Sequence, residues 1–228
     1  MIDHVRDLEA VRDATERLLA AIAALDNASS AEPSRLPGWS RGHVLAHLSR
    51  NADALVNVLT GLPMYESAEA READIARDAD RDLDTHLKDV RTSAERLFAT
   101  AAAQTDWSRT VHLRGGVTDT ASRVPFRRLV EVELHHVDLG IGYELEDLPL
   151  GFVQQEILFL AERFRGHDTV PGVLIRQDDG RMITTGDLTG TPLTVTGRQA
   201  DLLGWLAGRR DGAALTAVGG ALPVLPGL

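Results

Sequence analysis

One pattern dominates the first part of this chain and leaves few ways to fold it. Aliphatic side chains recur at three-, four- and seven-residue intervals, segment after segment, with breakers between the segments. Residues 3–25 place Val5, Leu8, Val11, Leu18, Ile22 and Leu25 on one stripe, and Asp3 is suited to cap the start of that helix. The breaker-rich DNASSAEPSRLPG (26–38) reads as a loop. Val44, Leu48, Leu55 and Leu59 mark a second helix that starts after Ser40 and ends before Gly61. A third helical region is acid-rich at first, SAEAREADIARDADRD (67–82), and settles into Leu83, Leu87, Val90, Ala94 and Leu97. WSRTVHLRGGVTDTASRV (107–124) reads as two short extended pieces around Gly115 and Gly116. Pro125 suits the first turn of a fourth long helix, which runs to about Gly140. A helix with one apolar stripe must bury it against a neighbour, so four in succession predict a four-helix bundle.

The texture changes after YELEDLPLG. One helix is expected at 151–165, and GVLIRQ, RMITTG and PLTVTG read as short strands. The first two are joined by Asp178-Asp179-Gly180, a hairpin signal. RQADLLGWLAG (198–208) reads as a helix and ALTAV as a last strand. The fold class is therefore α+β: an N-terminal four-helix bundle over residues 1–148, then a small α+β domain over 149–228.

Charge and composition narrow the function. The 228 residues carry a formal net charge of −10, which repels nucleic acid phosphates and anionic membranes. No apolar run approaches the roughly 20 residues of a membrane span, and MIDHVRDLEAVRD is too charged for a signal peptide. A cytoplasmic location is expected. Cysteine is absent, which excludes disulfides, cysteine-ligated zinc and a protein thiol nucleophile. Any thiol chemistry here must use a thiol from solution. The G-x-S-x-G elbow, the P-loop and a G-x-G-x-x-G turn are also missing.

Two helical segments carry candidate chemistry. In RRLVEVELHHVDLG, Glu131 and His135 are four apart, so they differ by about 40° around a helix and stack about 6 Å along it. In GWSRGHVLAHLSRNADAL, His47 borders the apolar stripe of its helix. Two imidazoles and one carboxylate fill three positions of a tetrahedral zinc ion and leave the fourth open. Spacing alone also permits an ordinary Glu–His pair on a solvated face and a hydrogen-bonded core histidine. Asp138 could orient a ligand imidazole. His43 reads as partly exposed, His86 and His112 as surface residues, and His136 points about 100° away from His135. Glu133 and His136 form one E-x-x-H pattern, but a di-iron bundle needs two. Arg209 follows the 198–208 helix as a cation at a helix end, with Arg210 competing for any special role.

GWSRGHVLAHLSRNADALVNVLTG, MYESAEAREADI and RRLVEVELHHVDLG, in that order, resemble the mycothiol-dependent maleylpyruvate isomerase family. The N-terminal part of that family belongs to the DinB-like metal-binding four-helix bundles. GRQADLLGWLAGR resembles its small C-terminal domain, which is similar to sterol carrier proteins. The resemblance implies zinc held by His47, Glu131 and His135, Arg209 acting near the reaction, and mycothiol as the thiol cosubstrate. It implies a small dicarboxylate substrate and cis–trans isomerisation of maleylpyruvate to fumarylpyruvate, by reversible thiolate addition, in aromatic (gentisate) catabolism. Two other readings fit the same residues: a different mycothiol-dependent S-transferase on this scaffold, or a non-enzymatic binder of a metal or small ligand.

Overall fold

The computed structural model describes residues 3–165, 167, 170–186 and 193–226. The chain divides into two units, Met1–Tyr143 and Glu144–Leu228. Among its described residues the first unit carries helices α1 (His4–Ala23), α2 (Arg41–Thr60), α3 (Ala68–Ala79), α4 (Leu83–Ala102) and α5 (Val124–Asp138). Both α1 and α2 pack against α4 and α5, which makes a four-helix bundle, and α3 lies against α2. Leu18, Ile22, Val44, Leu48, Val90 and Val132 are wholly buried in its core, whereas Val5, on the stripe expected for α1, is exposed.

The helix boundaries follow local chemistry. Asp3, Ser40, Ser67 and Asp82 each accept a backbone N–H of the first turn with their side chains, satisfying donors that a helix start leaves unpaired. Ser40 and His43 cap reciprocally, the His43 ring accepting the Ser40 N–H at 3.3 Å. Gly61, at φ 82°, ends α2 in the left-handed conformation that glycine adopts without strain.

The third helical region differs from expectation. It is two helices, α3 and α4, broken around Asp80 to Asp82. Asp82 caps α4 through the Thr85 N–H at 2.7 Å. The fully buried Asp78 gathers Arg81 at 2.5 Å and Arg77 at 2.9 Å, with Arg50 of α2 at 3.8 Å. The acidic run hid a stop and a start, because aspartate competes with the helix for backbone donors and favours caps. His86 also departs from its surface reading: it is 1% exposed, with Nε2 3.3 Å from the Ala79 carbonyl. It sits three residues after Leu83 and four before Val90, on the inward stripe, where the end of α3 covers it.

Strands β1 (Thr110–His112) and β2 (Thr118–Thr120) pair antiparallel, Val111 opposite Asp119, with Gly115 and Gly116 at positive φ between them. Val111, Ala121 and Val124 close one end of the bundle against Leu55 and Leu59 of α2 and Leu97 of α4.

The second unit opens with α6 (Leu150–Phe164), followed by β3 (Val173–Gln177), β4 (Met182–Thr184), β5 (Leu193–Gly197), α7 (Gln199–Leu206) and β6 (Thr216–Val218). The sheet order is β4-β3-β5-β6, with β3 and β5 parallel and both outer pairs antiparallel. The β3–β4 hairpin turns at Gly180, φ 86°. The alternating burial of β3 puts Val173 and Ile175 inward, α6 packs on α7, and Ile157, Leu160, Leu202 and Leu206 of these helices are buried. Pro192, expected at the start of the β5 strand, lies outside the described residues. Among the described residues no helix is long and apolar enough to cross a membrane.

Helix α3 approaches α2 at Gly42, where a Cβ atom would sit 2.1 Å from the Ala79 carbonyl oxygen. Backbone cannot yield as a side chain does, so Gly42→Ala should displace α3 and cost about 1–3 kcal/mol by urea unfolding.

Candidate metal centre

Helices α2 and α5 meet at a cluster of three polar side chains. His47 projects from α2 and is 5% exposed, while Glu131 and His135, one turn apart on α5, are half-buried. One ligand atom from each lies within 4.8 Å of those of the other two. The three meet at one atom: Glu131 Oε2 accepts from His47 Nε2 at 2.9 Å and lies 3.3 Å from His135 Nε2. The two imidazoles stand edge to face with centroids 4.7 Å apart, and Trp39 packs against His47 at 5.6 Å.

The electrostatics follow from burial and pairing. Burial pushes the Glu131 carboxyl up, but hydrogen bonds with His135 and His47 override it and hold the group well below the usual carboxylate range. Burial pushes His135 down, but its bonds to Asp138 and Glu131 outweigh that and raise it. For His47 burial wins over Glu131, and its value is lowered. The cluster is thus built around a carboxylate charge that needs a cation beside it.

These residues fit a divalent ion. His135 Nδ1 donates to Asp138 Oδ2 at 2.9 Å, a bond that would hold the Nδ1–H tautomer and free the Nε2 lone pair once a metal displaces the Nε2 proton. Two neutral imidazoles and one carboxylate are the donor set of an open zinc site. Asp138 is fully buried, so its partner is not replaced by water.

Two arginines border the trio that sequence reasoning did not single out. Arg71, on α3, donates from Nη2 to His47 Nδ1 at 3.2 Å and lies over the Tyr65 ring at 5.8 Å. Only the docking of α3 brings it there, so spacing held no signal for it. Arg128, three residues before Glu131 on α5, is 1% exposed. Its Nη1 donates to Leu48 O and Asn51 Oδ1, both at 2.8 Å, and burial lowers its value to about 10. Its position one turn from Glu131 could have flagged it.

The other expected residues fall elsewhere. His43 is half-buried and occupied in the α2 cap, and His112 is exposed. Glu133 turns to α1, where Arg17 (2.6 Å) and the Tyr143 hydroxyl (2.9 Å) donate to it, and His136 stacks on Tyr143 at 4.1 Å. The E-x-x-H pair therefore faces away from the trio. Arg209 belongs to the second unit, where Nη1 donates to Ala207 O at 2.7 Å. Its neighbour Arg210 is committed to Asp201 at 2.6 Å and to both Glu146 oxygens at 2.8 Å. That clamp ties the end of α7 to the segment before α6, which gives Arg210 a structural task.

A helical bundle with an internal two-histidine, one-carboxylate group, followed by a small mixed sheet, defines a class of two-part proteins. The model of the mycothiol maleylpyruvate isomerase N-terminal domain matches residues 11–140, and that of the family's C-terminal domain matches 147–227. The chain belongs to the mycothiol-dependent maleylpyruvate isomerase family. Two solved structures resemble it: a mycothiol-dependent maleylpyruvate isomerase and a histidine-to-alanine mutant of such an enzyme. Each is 26% identical, with TM-score 0.88, covering 99% of this chain and 97% of the other. No curated protein matches the chain.

Since Asp138 bonds His135, Asp138→Asn should weaken affinity for a divalent metal by about 10–100-fold in a competitive chelator titration, with helix content unchanged.

Proposed function

We propose that the protein is a zinc-dependent isomerase that uses mycothiol to convert maleylpyruvate into fumarylpyruvate. One observation carries this reading: His47, Glu131 and His135 converge within a chain that matches the family over both of its parts. A cytoplasmic setting, which keeps small thiols reduced, suits the chemistry.

The reaction changes the geometry of a carbon–carbon double bond, which does not rotate while intact. A thiolate adds to one alkene carbon, the displaced electron pair moves onto the conjugated carbonyl as an enolate, and the resulting single bond rotates. The enolate then re-forms the alkene and expels the same thiolate. With no cysteine in the chain the thiolate comes from outside it, and the family match points to mycothiol. When bound, zinc supplies a Lewis acid that holds a thiol as thiolate near neutral pH.

The chain's own groups define the rest. Neutral His47 and His135 with one carboxylate give a divalent site a net charge of about +1, which favours an anion as fourth ligand. Asp138 keeps the His135 ring in the competent tautomer, and Trp39 packs over His47. A dicarboxylate is not drawn in by a protein of net charge −10, so local cations must hold it. The family resemblance implies that Arg209 acts near the reaction, and we assign it to that work because its planar fork suits bidentate carboxylate binding.

The purified protein should hold about one zinc per chain. His47→Ala and His135→Ala should lose both metal and turnover, whereas Arg209→Ala should keep the zinc and lose most activity. Maleylpyruvate turnover that survives complete chelation would contradict the reading. Conjugation of other electrophiles to mycothiol, with maleylpyruvate left untouched, would replace it with an S-transferase.

A further inference from the structure

Among the described residues, Arg71 is the cationic side chain hydrogen-bonded to the trio, and its present bonds are weak ones. Nη1 pairs with Glu72, which is 60% exposed and next to it in sequence. Exposed pairs of this kind add little stability. Nη2 donates to the Nδ1 lone pair of His47, a neutral acceptor, at 3.2 Å. Yet the side chain is only 12% exposed, and its guanidinium lies over the Tyr65 ring, which limits where it can turn. Other arginines of the bundle are better satisfied: Arg17 by buried Glu133, Arg50 by Asp89, Arg96 by Asp53 and Arg127 by Asp119.

The bond to His47 conflicts with metal binding. A neutral histidine that binds an ion through Nε2 carries its proton on Nδ1. A guanidinium has donors only, so it has no acceptor there once the ion is held. Arg71 would then keep exposed Glu72 and its contact with Tyr65, while the Nη2 edge of its fork beside the centre loses its acceptor. The surroundings already favour an anion at this place. One turn deeper, Arg128 bridges α5 to Leu48 and Asn51 of α2, and its buried Nε and Nη2 have no hydrogen-bond partner. Two guanidinium charges therefore flank the single carboxylate of Glu131.

We propose that Arg71 is a substrate-binding residue, taking a carboxylate of the molecule that reacts at the trio, and that it is released for this by metal loading of His47. The inference rests on the isomerase reading and adds to it a specificity residue carried by α3. Recognition is bidentate, two N–H groups to two carboxylate oxygens, with Tyr65 backing the guanidinium. Helix α3 thereby becomes part of the binding surface, and its docking through Gly42 and Asp78 acquires a functional consequence.

The test uses zinc-loaded full-length protein, wild type, Arg71→Gln and Arg71→Lys, titrated calorimetrically with maleate in the absence of mycothiol. Zinc content and melting temperature are measured on the same samples. The Gln variant should keep its zinc and bind maleate at least about tenfold more weakly, and the Lys variant should recover part of the loss. In turnover, Arg71→Gln should raise KM for maleylpyruvate while leaving KM for mycothiol near wild type. Equal maleate affinity in wild type and Arg71→Gln, or no maleate binding by the wild type, overturns the inference. A wild-type protein that binds maleate through Arg71 but fails to isomerise maleylpyruvate overturns the isomerase reading instead.

Discussion

The interaction on which the rest of this site depends is the meeting of two imidazoles at one carboxylate oxygen. Glu131 Oε2 is 2.9 Å from His47 Nε2 and 3.3 Å from His135 Nε2, within the buried contact of α2 with α5. A carboxylate taken from water into such a place costs several kcal/mol unless it is paired and hydrogen-bonded. The histidines, and the arginines next to them, provide that compensation. A layered contact results: His47 faces Glu131, and one turn along, Asn51 faces Arg128. The second layer fixes the register of α2 on α5, and so the distances in the first.

What holds those two helices in place is dispersed through the bundle. Side-chain caps start α1, α2, α3 and α4, and glycine ends α2, so the polar layer falls at a defined height. The charged cluster around Asp78 and the close approach at Gly42 then seat α3 on α2. The same two features deliver Arg71 to His47. A helix that looks like a peripheral addition to the bundle thus borders the centre.

Much of this was legible in the sequence because it rests on local rules. The apolar stripes predicted the bundle, the Gly115–Gly116 pair marked the small hairpin, and Asp178-Asp179-Gly180 marked the turn between β3 and β4. The four-residue spacing of Glu131 and His135 put them on one face, and the structure brings His47 to them. What was not legible depends on tertiary packing or on competition between signals. The break between α3 and α4 lay inside an acidic run in which every aspartate could equally have been surface charge. His86 was given to the surface, although its place on the Leu83–Val90 stripe points inward. Arg71 is adjacent to the trio only because α3 folds back on α2, and no periodicity reports that. The pairing of Arg210 with Asp201 and Glu146 likewise depends on packing, and no local signal in the sequence distinguished it from Arg209.

On the proposed reading, three side chains from two helices hold one cation with a coordination position left for sulfur. Cobalt substitution tests it most directly, because cobalt(II) reports its ligands in the visible and near-ultraviolet spectrum. Mycothiol titrated into the cobalt-loaded protein should produce a sulfur-to-metal charge-transfer band that saturates at about one thiol per metal. The band should be absent from His135→Ala. A cobalt spectrum unchanged by saturating mycothiol would mean that no position is open to sulfur, and the account of this centre would be wrong.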